Sequence, residues 1–97
     1  MYDLECIYDS RKSFYAKARV VETKKGSLED LILYSYNTIV ARIQKTPSKI
    51  KYSYYGRYST TTSRHQREFF RQNGLSEDEI KQLMKTTEKN EIVKEMR

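Results

Sequence analysis

The chain has 97 residues, a net charge of +6, a single cysteine and a mean hydropathy of −0.89. That length builds one domain around one modest core. One thiol excludes an internal disulfide or a multi-cysteine metal site. No stretch has the length and apolarity of a membrane span, and the opening residues lack a signal-peptide pattern, so a cytosolic protein is expected. Nine tyrosines supply apolar area that the hydropathy index scores as polar, which favours a folded core over disorder.

Tyr2 to Tyr8 alternates, with Leu4 and Cys6 on one side and Asp3 and Glu5 on the other, and predicts a half-buried strand. After a polar turn at Asp9–Lys12, alternation resumes from Ser13, with Phe14, Ala16, Ala18 and Val20 facing one way and Tyr15, Lys17 and Arg19 the other. A hairpin of these two strands brings Asp3 and Glu5 across from Lys17 or Arg19. Residues 22–30, broken by Gly26, predict a charged loop. Leu31–Tyr34 predicts a strand, and Ser35–Thr38 a bulge or tight bend. Ile39, Ala41 and Ile43 then alternate with Val40 and Arg42. A turn at Pro47 leads to Ile50, Tyr52 and Tyr54, which alternate with Lys49, Lys51 and Ser53.

Gly56 ends the strands. A helix over about 60–73 follows, with N-cap candidates at Ser59–Thr62 and a stop at Asn73-Gly74. At 100° per residue, Arg64, Arg67 and Arg71 form one stripe, opposite Thr62, Gln66, Phe69 and Phe70. Ser76 and Glu79 have capping-box spacing, and Leu75 and Ile80 staple spacing, for a second helix over about 77–95. Its apolar stripe weakens past Glu88, where Ile92, Val93 and Met96 leave a homodimer open. Strands segregated from helices give an α+β domain spanning residues 1–97: an antiparallel sheet of four to five strands (about 2–55) with both helices on one face.

Three blocks, taken together, are distinctive: Tyr8–Ala18 (YDSRKSFYAKA), Leu33–Ala41 (LYSYNTIVA), and Tyr58–His65 (YSTTTSRH) with Glu68-Phe69 and Gln72-Asn73-Gly74. In this order and spacing the chain resembles a family of small proteins of unknown function from phages, plasmids and other mobile elements of Gram-positive bacteria. The resemblance runs from Tyr2 to Gly74. It implies a mobile-element setting in a bacterial host cell, and it brings no catalytic residues.

The charge is localised. Residues 1–39 are neutral, whereas residues 40–75 carry eight cations against Glu68 alone. Localised positive charge points to an anionic partner more strongly than a high pI does. Cations neutralise phosphates, and aromatic rings stack on unpaired bases. The expectation is therefore a non-enzymatic accessory protein binding DNA or RNA through a basic, tyrosine-rich surface in residues 40–75. Its candidate residues are Tyr15, Lys17, Arg19, Arg42, Lys49, Lys51, Tyr55, Arg57, Arg64, Arg67 and Arg71. The alternative is an anti-defence protein that occupies a host nuclease complex through Tyr/Arg protein contacts. His65, the only histidine, reads as a packed residue beside the apolar helix face. Catalytic residues, a metal site and a cofactor are not expected.

Overall fold

The computed structural model describes residues 1–10, 13–14 and 16–95. Its elements are β1 (Tyr2–Asp3), β2 (Ala18–Lys25), β3 (Leu28–Ser35), β4 (Thr38–Lys45), β5 (Lys49–Tyr54), α1 (Thr60–Gln72), α2 (Glu77–Met84) and β6 (Asn90–Glu95). The strands form one antiparallel six-stranded sheet in chain order, with both helices on one face. The α+β class is as the sequence predicts, with more strands than expected.

Turn chemistry sets the meander. Gly26, at φ +62°, takes the first central position of a two-residue β2–β3 hairpin, where a left-handed residue is required. Residues 22–30 therefore extend the two strands rather than form a loop, with Lys24 opposite Glu29. Tyr36 and Asn37, both at positive φ, close β3 onto β4. A bulge accompanies that turn: Leu33 pairs with Ala41 and Tyr34 with Ile39, leaving Val40 as the extra residue. The bulge reverses the expected phase, so Val40 and Ala41 are both buried while Ile39 faces outward.

The helix-side face of the sheet carries Ala18, Val20, Leu31, Leu33, Ala41, Ile43, Tyr52 and Tyr54, all buried. Against it α1 drives Phe69 and Phe70, both fully buried and together worth about 3–6 kcal/mol of apolar transfer. Polar groups orient α1 as well. Gln66 Nε2 donates to the carbonyls of Val40 (2.9 Å) and Gly56 (3.1 Å). Ser35 Oγ lies 2.8 Å from His65 Nδ1 and 2.9 Å from Thr62 Oγ1. His65 is thus a core residue, its ring edge-on to Phe14 at 4.6 Å.

The first strand is shorter than predicted. Tyr2 and Asp3 form the ladder with β2, Asp3 opposite Arg19, Leu4 N still donates to Ala18 O at 2.9 Å, and the chain then leaves the sheet for α1. The cause is Glu68, whose carboxylate takes the backbone N–H groups of Tyr8 (2.9 Å) and Asp9 (2.8 Å). β2 starts late because Lys17 N donates to Phe14 O in a tight turn that leaves Ala16 at φ +59° and exposed.

The largest departure lies at the end of the chain. α2 starts as predicted, with the full capping box: Glu79 N to Ser76 Oγ at 3.2 Å and Ser76 N to Glu79 Oε1 at 2.9 Å. It stops at Met84, and Asn90–Glu95 pairs with β5 as β6 instead of continuing the helix. Thr86 and Thr87 disfavour helix, and the β-branched Ile92-Val93 pair completes a sheet edge that β5 leaves open. Lys94 reaches back to Glu79 (2.9 Å), and Asn90 Nδ2 caps the Leu83 carbonyl (3.1 Å). Gly56, at φ +98°, allows the return: a Cβ there would stand 2.9 Å from the Thr87 carbonyl oxygen.

Candidate nucleic-acid interface

The helical stripe becomes the floor of a cleft. Arg64, Arg67 and Arg71 of α1 face the segment Tyr8–Ser10 on one side and Glu77, Ile80 and Lys81 of α2 on the other, around about 430 Å³. Glu68 belongs to the same floor, four residues after Arg64. It is 2% exposed, and its second oxygen accepts from Gln72 Nε2 at 2.7 Å, so both oxygens are engaged internally. Arg64 Nη1 pairs with Asp9 Oδ1 at 3.1 Å, while its buried Nε has no hydrogen-bond partner among the described residues. The Arg71 guanidinium lies 5.1 Å from the centroid of the Tyr8 ring, within cation–π range.

The described lining thus carries four cations against three carboxylates. Two of those carboxylates, Asp9 and Glu68, are already bound within the protein. Arg67 is exposed and makes no ion pair among the described residues. Charge available to a ligand therefore concentrates on Arg67, Arg71 and Lys81.

The remaining candidates lie elsewhere. Arg19, Arg42, Lys49, Lys51 and Tyr55 belong to the opposite, helix-free face of the sheet, by strand alternation with the buried residues. Most cations there are occupied. Arg42 makes a two-pronged contact to Asp30, Nε at 2.9 Å and Nη2 at 2.5 Å, and those hydrogen bonds raise its pKa above the ordinary guanidinium value. Lys51 pairs with Glu91 at 3.0 Å, Arg19 donates to Asn37 Oδ1 at 2.6 Å, and Lys49 stands in register with Glu95. Tyr55 takes the Lys89 ammonium 5.3 Å from its ring centroid. Lys17, before β2, and Arg57, after Gly56, are exposed on loops, and Tyr15 lies outside the described residues. Of the eleven candidates, five therefore lie on the helix-free sheet face, Lys17 and Arg57 on loops, and Arg64, Arg67 and Arg71 together in a concave site.

Sequence reasoning missed Tyr8, Ser10 and Lys81. Tyr8 and Ser10 fall in the first of the three distinctive blocks, and Lys81 follows Glu77 by four residues on α2, so a signal existed for each. What was missing was the contact that brings residue 8 to residue 68.

Residues 2–89 match the model of a family of unknown function, DUF8033. The chain belongs to that family. All ten described residues lining the cleft fall inside the DUF8033 match, which extends through α2, beyond the three blocks, and stops one residue before β6. No curated protein and no solved structure matches the chain. Among the described residues no helix is long and apolar enough to cross a membrane, and no group of three or more His, Cys, Asp or Glu is placed to hold a metal ion.

Proposed function

We propose that this protein is a small non-enzymatic accessory protein of a phage or other mobile element that binds nucleic acid through the cationic face of α1. One observation supports the reading. Arg64, Arg67 and Arg71 share a single cleft with Lys81 and the Tyr8 ring, and two of the three carboxylates beside them are already satisfied. Phosphates engaged there release counterions, so binding weakens as salt rises.

The test is fluorescence anisotropy with labelled mixed-sequence DNA and RNA, at salt from about 50 to about 200 mM. The double variant Arg67→Ala/Arg71→Ala is expected to flatten the salt slope on single strands by about 0.7 to 1.4, roughly 0.7 for each phosphate whose neutralisation is lost. Unchanged affinity and slope reject the α1 face as the interface.

A second reading is favoured by the uncovered sheet face, where Tyr34, Ile39, Tyr55 and Val93 lie among cations that are already paired. Such a surface suits a protein partner better than a phosphate backbone. On this reading the protein inhibits a host defence nuclease complex by direct contact. Absence of oligomer binding at low salt, with host-lysate capture abolished by Ile39→Asp or Val93→Asp, would favour it.

A further inference from the structure

We infer that the cleft takes an unpaired nucleotide of a single strand, with its base against the Tyr8 ring and its phosphate held by Arg67 and Lys81. This rests on the nucleic-acid reading and narrows it to one form of ligand. Three features lead there.

The first is shape. Had the arginine stripe stood on a convex helix, it would suit a duplex groove or a phosphate ridge. Here Tyr8–Ser10 and α2 rise on either side of it, forming a half-open cleft of about 430 Å³, within the volume range of small-molecule sites. A duplex offers a base to a recess only by unpairing and unstacking it, which costs free energy, whereas a single strand turns a base into it without that cost.

The second is the ring itself. Tyr8 is 59% exposed, more than any other described tyrosine, yet its backbone is fixed by the 2.9 Å hydrogen bond to buried Glu68. Arg71, 5.1 Å from the ring centroid, holds its orientation. A ring that is anchored at its base, oriented by a cation and open to solvent is a stacking platform.

The third is where the cations stand around that platform. Arg71 contacts the ring and Arg64 contacts Asp9, which leaves Arg67 and Lys81 as the cations of the lining that touch neither ring nor carboxylate among the described residues. A nucleotide needs this arrangement: one flat apolar surface and a separate positive group for its phosphate. The Ser10 hydroxyl, also on the lining, offers a polar contact to a base edge or sugar.

The experiment compares oligo-dT and oligo-U single strands with a dA·dT duplex of equal length, against the intact chain and its Tyr8→Leu and Tyr8→Phe variants. Tyr8 is exposed, so both variants are expected to fold, which circular dichroism checks. Both single strands are expected to bind more tightly than the duplex. Tyr8→Leu should weaken single-strand binding by about 5- to 150-fold, the range for loss of one stacked base, with the salt slope unaltered because no charge is removed. Tyr8→Phe keeps the ring and should stay within about threefold of the parent. Equal affinity for duplex and single strands, or an equal effect of Tyr8→Leu on both, overturns the unpaired-nucleotide inference while leaving nucleic-acid binding standing. Failure of every oligomer to bind overturns both.

Discussion

The two faces of the sheet layer use similar side chains to different ends. On the open face, Arg42 and Lys51 are matched by Asp30 and Glu91 from neighbouring strands. On the helix side, the one fully buried carboxylate, Glu68, turns away from the arginines and holds the backbone of Tyr8 and Asp9. That choice leaves Arg67 without an ion pair among the described residues and raises the wall that makes a cleft. A residue-type count gives both surfaces the same positive character, and the tertiary pairing decides which cations a ligand can reach. Partly exposed pairs like those on the sheet add little to stability, but they lower the field that a phosphate would meet.

The comparison can be broken most forcefully at its buried end. Glu68→Ala strips the acceptor from two backbone N–H groups and the Gln72 amide, and is expected to lower unfolding free energy by about 3 kcal/mol in urea titrations. Asp30→Ala, which cuts a half-buried two-pronged pair on the other face, should cost less, about 1 kcal/mol. Comparable losses for the two would erase the distinction between a cleft built on a buried carboxylate and a sheet dressed with surface pairs.

The next effect is on binding. Arg67→Ala/Arg71→Ala should weaken single-strand affinity by about 10- to 100-fold at low salt, while Arg42→Ala/Lys51→Ala leaves it within about twofold. Asp30→Ala then sharpens the argument by a gain: it frees Arg42, and is expected to strengthen binding by up to about threefold and steepen the salt slope by up to about 0.7. No gain would mean that pairing is not what silences the sheet face.

The smallest effect concerns α2, which backs the cleft. The Ser76 backbone N–H, followed by Lys94, holds the Glu79 carboxyl below its ordinary pKa of 4.5. A lowered folded-state pKa gives stability that is complete above about pH 4.5 and is lost as pH falls through the lowered value. Thermal melts from neutral to acid should therefore show a shallower acid decline for Glu79→Gln than for the parent.

Local signals carried much of the fold. The Tyr36-Asn37 turn, Pro47, the Ser59 cap and the Ser76–Glu79 box are each read within a few residues, and each is where the sequence puts it, whereas Gly26 marks a two-residue hairpin turn and not the loop expected over 22–30. The misreadings are non-local. The truncation of β1 depends on Glu68, sixty residues away, and β6 depends on an edge that only β5 creates. Lys94 and Glu95 are good helix formers, so propensity favoured a longer α2 until pairing overrode it. The bulge at Val40 moved the phase of one strand without leaving a glycine to mark it. The candidate site was half legible for the same reason. Helical spacing gathered Arg64, Arg67 and Arg71, whereas Tyr8 and Lys81 joined them only through tertiary contact, and the carboxylates that occupy Arg42 and Lys51 come from outside residues 40–75.

The most direct test is a ¹⁵N chemical-shift titration of the protein with a short single strand. Shifts are expected to cluster on Tyr8–Ser10, on Arg64, Arg67 and Arg71, and on Lys81, with Arg42, Lys51 and Val93 unmoved. Shifts confined to the sheet residues, or none at low salt, would contradict the assignment of the cleft as the nucleic-acid interface.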